Sequence, residues 1–251
     1  MEKPIISLVA SAIRTQHWLD LYEKLSTDNT IPFEIVFVGH MYPDFVLPEN
    51  FIYIYSEAEA IECYETAYRN SKGEYVSFFA DDIVPSSHFL NEMCAYLRRM
   101  WNDKVVLLPR LAFEYDPDAR DGKCTPPLDS CMVAQLNNPE APVVGACFTI
   151  KRSLWKELGG LDRRFTHIWS DLDMQLRIYE AGGCPFVSPT TIVWERAHTE
   201  HPRLSVKAGA GEDNMDVNFF NKCWLDENRI LLKKRLIEFQ PFTDDEIPIV
   251  R

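Results

Sequence analysis

The chain lacks the features that tie a protein to zinc, to a membrane or to nucleic acid. Its seven cysteines include no C-x-x-C pair, which argues against a structural zinc site, and we expect them to be free thiols. No stretch approaches the roughly 18 apolar residues of a membrane-spanning helix. The net charge of −12 argues against nucleic acid and anionic membranes as partners. We therefore expect a cytoplasmic protein without a transmembrane segment.

Glycine is also scarce, with ten glycines against sixteen prolines. None follows the first apolar run, where the sequence reads SAIRTQHW. A sugar nucleotidyltransferase needs a glycine-rich, basic loop at that position to hold a triphosphate, so the sequence disfavours this class. Prolines gather instead at 117–142, where no period is sustained. This segment is predicted to be a long irregular loop, and such loops often carry function.

What is present is an alternation of short apolar runs with segments of helical period. Helical spacing predicts helices near 18–25, 61–68, 89–100 and 153–158, another from 171, and a last one in the tail at 216–239. The apolar runs predict strands at 5–10, 34–38, 51–55, 75–79, 105–109, 143–150 and 192–194. The alternation indicates one α/β fold, a mixed and mostly parallel sheet flanked by helices on both faces.

The run at 75–79 leads into two adjacent carboxylates, Asp81 and Asp82. Open α/β sheets bind their ligands at the carboxyl ends of the strands. Two carboxylates about 4 Å apart repel by roughly 4 kcal/mol at an effective dielectric near 20, and a divalent cation between them removes that cost. The pair therefore predicts a site for Mn²⁺ or Mg²⁺ and a phosphate-bearing ligand. Arg14 and Lys72 are candidate contacts to a nucleotide.

A second group of acids follows the predicted turn at Gly159–Gly160. Asp171 and Asp173 fall in the first turn of a predicted helix. A carboxylate held at a helix start can act as a general base towards a hydroxyl, and we assign that role to Asp171. Ser170 and Asp173 also fit the capping box S-x-x-D, so helix capping is the alternative for Asp173.

Four segments together resemble the family-two glycosyltransferases with the GT-A fold. They are ISLVASAIR, EIVFVGH, RNSKGEYVSFFADD and the block from GACFTIKR to SDLDMQLRIYEAGG. The resemblance covers about residues 5–198. It implies a single-domain GT-A, Rossmann-like fold over residues 1–215, with a nucleotide-binding half near 1–110 and an acceptor half near 111–215. Residues 216–251 are then expected to be a C-terminal helical extension packed on this domain.

The resemblance also implies an activity: metal-dependent transfer of a sugar from a UDP- or GDP-linked donor to an acceptor hydroxyl, with inversion. The acceptor class stays open among glycans, proteins and lipid-linked molecules. By this resemblance Asp82 is a direct metal ligand, and Asp81 contacts the donor or a metal-bound water. Asp171 is the base. His198 is a candidate further metal ligand, with His201 as the alternative, and a solvated loop position is equally open for both.

Weaker site candidates lie around these acids. The donor nucleotide has candidate contacts at Ser11, Arg14 and Lys72. The acceptor or the diphosphate has candidate contacts at Trp169, Arg163, Arg164 and Asp173. Two alternatives stay open: Trp169 could belong to the core rather than stack on a sugar, and the two arginines could be solvated at the surface.

The sequence departs from the family pattern at three positions. Ala80 stands where the acidic motif usually begins with Asp, and Ser170 stands in place of a Glu before the base. Gly39 and His40 stand where an Asp usually reads the nucleobase. These departures keep a second function open, a non-catalytic carbohydrate-binding or assembly module on the same fold.

Overall fold

The structure, a computed structural model, describes residues 2–115, 147–196, 215–224 and 239–250. The eight strands of the sheet are β1 (Ile6–Ser11), β2 (Phe33–Gly39), β3 (Phe51–Tyr55), β4 (Tyr75–Phe78), β5 (Ile83–Pro85), β6 (Val105–Tyr115), β7 (Phe148–Lys151) and β8 (Cys184–Arg196). The helices are α1 (Trp18–Asp28), α2 (Ala60–Arg69), α3 (Phe89–Arg99), α4 (Arg152–Glu157), α5 (Ser170–Glu180) and α6 (Met215–Trp224). No helix in these described ranges is long and apolar enough to cross a membrane.

All eight strands form one sheet in the order β3-β2-β1-β4-β7-β6-β8-β5. The first four are parallel, so their carboxyl ends meet at one edge of the sheet. Strand β7 runs antiparallel to both β4 and β6, β8 is parallel to β6, and β5 is antiparallel to β8. The α/β fold with a mixed, mostly parallel sheet is therefore confirmed.

The sheet is buried on both faces, which explains why its central strands are continuously apolar. Alternate residues of β1 face opposite sides: Leu8 and Ala10 belong to the cluster that contains α1 and α3, and Val9 to the one that contains α2, α4, α5 and α6. Trp18 and Trp155 are fully buried on the two sides. These two layers cover both faces of the sheet and so hold the strand ends at its carboxyl edge in place.

The sequence located most of these elements. The predicted strand 51–55 is confirmed without change, and those at 5–10, 34–38 and 75–79 agree with β1, β2 and β4 to within one residue at either end. Strand β5 was not predicted, and β8 is far longer than 192–194, because it continues past bulges in its pairing with β6. The irregular segment 117–142 and the start of the strand predicted at 143–150 lie outside the described residues.

The tail is helical only in part of what is described. Helix α6 buries Phe220 and Trp224 as its amphipathic pattern predicts. Residues 239–250, in contrast, contain no helix and lie against the end of α2, where Arg69 Nη2 donates to the Phe242 carbonyl at 2.6 Å and Asn70 Nδ2 to the Pro248 carbonyl at 2.8 Å. Side chains of α2 thus hold residues 239–250 on the domain, and the division of the chain at residue 215 stays a prediction.

Candidate active site

The carboxyl edge of the sheet brings together the exits of β1, β2 and β4. Strand β1 ends at Ser11, and the Ala12 amide donates to the Val38 carbonyl at 2.8 Å, so the β1 exit stays close to β2. A Cβ at Gly39 would collide with the Ala12 carbonyl oxygen. Only glycine fits this close approach, which explains why the usual acidic residue is absent at the end of β2.

Asp81 lies directly beyond β4 and is 1% exposed. Its Oδ2 accepts the backbone amides of Ile13 at 2.6 Å and Arg14 at 2.5 Å, and its Oδ1 accepts Arg14 Nη1 at 2.7 Å. A buried carboxylate with three donors is stable without a metal. Asp81 therefore fixes the turn after β1, and its oxygens are already engaged by the protein.

Arg14 connects the two aspartates. Its Nη2 lies 3.3 Å from Asp82 Oδ2, in addition to the Nη1 contact with Asp81. Burial opposes the charge of Arg14, but the carboxylates of Asp82 and Asp81 outweigh it and raise the pKa of the guanidinium. The positive charge that the acid pair requires is thus supplied here by Arg14.

Asp171 lies in the first turn of α5 and is half-buried. Burial raises the pKa of its carboxyl to about 6, although its own backbone amide and that of Leu172 act in the opposite direction. A carboxyl with this pKa is mostly ionised at pH 7 and yet basic enough to accept a proton, which is the property of a general base.

The phenol of Tyr64, on α2, interacts electrostatically with Asp171 and with the pair Asp81 and Asp82. Its hydroxyl donates to the Phe79 carbonyl at 2.7 Å, at the end of β4, and its ring stacks on Phe78 at 3.9 Å. Burial raises the pKa of Tyr64, and the charges of Cys147, Asp81, Asp82 and Asp171 raise it further. All three aspartates therefore lie within electrostatic reach of one phenol.

Tyr64 was missed as a site residue. In the sequence it falls at helical spacing with Ile61 and Tyr68, a pattern typical of a core-facing helix. The ring does pack on the core, but the hydroxyl reaches the carboxyl edge. A tyrosine on a core face has a polar atom that needs a partner, and this was the available signal.

The Asp173 carboxylate is engaged by other side chains of the protein. It is fully buried, with Oδ2 accepting Arg177 Nε at 2.9 Å and Oδ1 accepting Trp224 Nε1 at 3.0 Å. The capping box is also wrong: the residue before the helix is Trp169, no side chain caps it, and the buried Ser170 hydroxyl has no partner among the described residues. Asp173 instead connects α5 to α6.

Trp169 adopts a left-handed backbone conformation with φ of 69°. A non-glycine residue holds this geometry only where its surroundings enforce it. Its half-buried ring packs on Phe220 at 4.8 Å between ring centres, so core packing accounts for at least part of its surface.

Three predicted basic contacts lie elsewhere. Arg163 pairs with Glu246 and donates its backbone amide to Gln240, both in the C-terminal segment. Arg164 forms a two-point pair with Asp162, at 2.9 and 2.7 Å, and covers the Phe219 ring. Lys72 precedes β4, so four strand residues, or roughly 13 Å, separate it from the carboxyl edge.

The remaining predictions concern Ser11 and the two histidines. Ser11 is half-buried at the carboxyl edge, next to Cys63, whose thiol pKa burial raises to about 11. Its contact with a nucleotide stays a prediction. His198 and His201 lie outside the described residues. The Arg196 backbone amide, two positions before His198, donates to the Asp82 carbonyl at 2.9 Å.

The described residues offer a limited donor set for a metal. They contain no group of three or more His, Cys, Asp or Glu side chains placed to hold one. Asp81 is committed to backbone amides, which leaves Asp82 as the candidate ligand at this edge. Mg²⁺ is commonly held by one or two carboxylates plus substrate phosphates. Asp82 is therefore the described residue that would hold a hard divalent cation arriving with a phosphate-bearing ligand, and this role stays a prediction.

No protein-family model matches the sequence, and no curated protein matches it. Solved structures do match. GalNAc-T7 with UDP, GalNAc and Mn²⁺ superposes with a TM-score of 0.60 at 13% identity, over 90% of this chain and 49% of that one. Residues 1–349 of TarS from S. aureus give 0.55 at 15% identity, over 76% of this chain and 60% of that one, and the UDP complex of TarS gives 0.54 at 14% identity.

These similarities concern the fold. The chain spans about half the length of the GalNAc-T7 structure and 60% of the TarS structure, and the identities are low. Assignment to family two within the GT-A enzymes stays a prediction. The order of the strands, the acids at the carboxyl edge and the structural matches agree on one conclusion: the chain has the fold of the GT-A glycosyltransferases.

Proposed function

We propose that the protein is a glycosyltransferase that moves a sugar from a nucleoside-diphosphate sugar to an acceptor hydroxyl, with inversion and with a divalent cation. The observation that carries this proposal is that Asp81 and Asp82 follow β4 at the carboxyl edge of a GT-A sheet, with Asp171 within electrostatic reach of the same phenol, Tyr64. The donor is UDP-linked in preference to GDP-linked, because GalNAc-T7 and TarS were both solved with UDP.

In this mechanism the acceptor hydroxyl attacks the anomeric carbon while the bond from that carbon to the diphosphate breaks. Asp171 takes the hydroxyl proton, and its pKa of about 6 keeps it ionised and ready at pH 7. An inverting displacement needs the base opposite the leaving group, and the proposal assigns this role to Asp171 in the first turn of α5, which influences Tyr64 as Asp81 and Asp82 do.

The diphosphate leaving group gains negative charge as the bond breaks. A cation bound at Asp82 supplies Lewis-acid stabilisation of that charge. Arg14 lies beside it and contributes a fixed positive charge in a mostly buried position. Asp81 holds the Ile13 and Arg14 amides and so keeps Arg14 in place rather than contacting the donor itself.

Calorimetry with UDP and GDP, each with and without Mn²⁺, tests the proposal. We expect UDP to bind only weakly without Mn²⁺ and at least tenfold more tightly with it. Incubation with UDP-GalNAc, UDP-GlcNAc and UDP-glucose should then release UDP. Absence of nucleotide binding in every condition would contradict the proposal.

A specific observation supports the second candidate, a non-catalytic module. Arg14 already neutralises the acid pair, as expected for a site that no longer needs a metal. In that case glycans would bind without any dependence on nucleotide or Mn²⁺, and the same calorimetry separates the two functions. The half-buried acid with a raised pKa at Asp171 favours the enzyme.

A further inference from the structure

Helix α6 contacts the segment that carries Asp171 at three points. Its Asp216 binds the loop before α5, its Phe220 packs on Trp169 at 4.8 Å, and its Trp224 donates to Asp173 at 3.0 Å. The three contacts span the approach to α5 and its first turn. A helix expected to belong to a peripheral extension thus lies directly behind the candidate base.

The Asp216 contact is the densest of the three. Its carboxylate is 3% exposed and accepts three successive backbone amides: Thr166 at 3.1 Å, His167 at 2.7 Å and Ile168 at 3.0 Å. The Thr166 hydroxyl donates to it as well, at 3.2 Å. Successive amides that converge on one anion form a nest, a concave arrangement that fixes the backbone around the charge.

This nest ends one residue before the strained position. Trp169 follows Ile168 with φ of 69°, Ser170 begins α5, and Asp171 is the next residue. A left-handed non-glycine residue persists only if the structure around it leaves no alternative. Asp216 anchors the chain before Trp169, and Phe220 and Trp224 hold the ring and the helix after it.

We propose that Asp216 is a positioning residue: by fixing residues 166–168 it sets the direction in which Asp171 enters the site. This inference rests on the proposed function, since it gives Asp171 the role of base. Asp216 does not touch substrate. Its loss should therefore lower the rate of the chemical step and leave nucleotide binding at Asp82 and Arg14 intact.

The test is the pair Asp216→Asn and Glu34→Gln. Glu34 is a matched control because it is also 3% exposed and also accepts a hydroxyl (Ser7 Oγ, 2.8 Å) and a backbone amide (Lys72), but at the amino end of the sheet. A misplacement of about 1 Å at a reacting group can cost on the order of 10²-fold in rate. We expect Asp216→Asn to lower kcat for UDP release by about 10- to 100-fold.

The same variant should keep the KM for the UDP-sugar and the Kd for UDP with Mn²⁺ within about twofold. A merely structural loss would not lower kcat selectively in this way. Glu34→Gln should lower Tm comparably but leave kcat within about twofold. If Asp216→Asn does not fold, Thr166→Val removes one donor to the same carboxylate and should reduce kcat severalfold with unchanged UDP affinity.

The outcomes are distinguishable. An active wild-type protein whose Asp216→Asn and Thr166→Val variants keep full kcat would overturn this inference alone, as would a parallel loss of UDP affinity. A wild-type protein that binds no UDP and releases none from UDP-sugars would overturn the proposed function together with this inference. Hydrogen exchange gives an independent reading: the amides of 166–168 should be slow in the wild type and at least tenfold faster in Asp216→Asn.

Discussion

Two aspartates in the first turn of α5, separated by a single residue, have different environments. Asp173 is fully buried in an ion pair with Arg177, whereas Asp171 is half-buried and has a raised pKa. An ionised carboxyl whose folded pKa lies above its unfolded value destabilises the fold at high pH and ceases to do so below about pH 4. Asp171 therefore lowers the stability of the fold at neutral pH, as the base role proposed for it would require.

Substitution Asp171→Asn should separate activity from stability. We expect kcat to fall by about 10²- to 10⁴-fold, because the amide cannot accept a proton, with the Kd for UDP unchanged. At pH 7 the variant should be at least as stable as the wild type. Asp173→Asn is the matched contrast and should cost about 3–5 kcal/mol by breaking a buried pair. Steady-state UDP release measures kcat, and urea denaturation measures the free energy of unfolding. An unchanged kcat in Asp171→Asn would exclude this residue as the base.

The raised pKa of Asp171 also predicts a pH profile. Because the base must be ionised, kcat/KM should rise with pH and level off above about pH 6. An acidic limb centred near pH 4 would mean that Asp171 is not the titrating base. Measurement of UDP release from about pH 3.5 to 8 at constant ionic strength locates the midpoint of this acidic limb.

Arg14 occupies the position between the acids that a metal would otherwise neutralise. Arg14→Gln should therefore tighten the binding of Mn²⁺ alone by about tenfold, since two facing carboxylates lose their counter-charge. The same change should weaken UDP binding in the presence of Mn²⁺, because a cation near the diphosphate is lost. Electron paramagnetic resonance of free Mn²⁺ measures the first effect without reference to turnover.

Arg164→Gln is the control for this experiment, because Arg164 pairs with Asp162 and has no contact with Asp81 or Asp82. Its affinity for Mn²⁺ should equal that of the wild type. Equal Mn²⁺ affinity in Arg14→Gln as well would mean that Arg14 does not compete with a metal.

At the scale of elements, α5 and α6 behave as one unit. The Trp224 indole provides a neutral donor to Asp173, in addition to the Arg177 ion pair. Trp224→Phe keeps most of the ring but removes this donor, and leaving a buried carboxylate oxygen without it should cost about 1–3 kcal/mol. Urea denaturation checks this value. Trp101→Phe, at a position 89% exposed, should leave the free energy of unfolding unchanged.

The sequence predicted elements well where periodicity is sustained. The central strands β1 and β2 follow from continuous apolar runs, because both faces of the sheet are covered there. Strand β5 is three residues long and pairs with β8 from more than a hundred positions away, so no local pattern marks it. The length of β8 depends on bulges in its pairing with β6, which composition does not encode.

The sequence indicated the acids at the carboxyl edge but not the groups that pair with acidic and basic side chains near them. Asp81, Asp82 and Asp171 stand beside element ends, which the sequence marks. The partners of Arg163 and Asp173 come from the C-terminal segment and α6, so no local pattern in the sequence marks them. The sequence did not indicate Asp216, because its hydrogen-bond donors include three backbone amides, and every sequence has such amides.

At the scale of the whole molecule, the C-terminal segment is part of the cooperative structure. Ile247 is 1% exposed, while Ile249, two residues on, is 64% exposed. Ile247→Ala should therefore lower the free energy of unfolding by about 2–5 kcal/mol and Ile249→Ala by little. Equal effects in thermal and urea unfolding would mean that this segment is not packed as described. UDP affinity should be unchanged in both, since the segment contacts α2 and the 159–163 turn rather than the acids.

The bonds of Asp81 to the turn after β1 have a consequence for how related sequences are to be compared. A descendant that abandoned chemistry would still need this carboxylate to close its first and fourth strands, so selection for folding alone would preserve it. Asp82 and Asp171 are under no structural constraint of equal strength, so substitutions would accumulate at these two positions. In a lineage without activity, Asp81 would be retained longer than Asp82 and Asp171. The presence of Asp81 alone would therefore be a poor indication that a related protein is an enzyme.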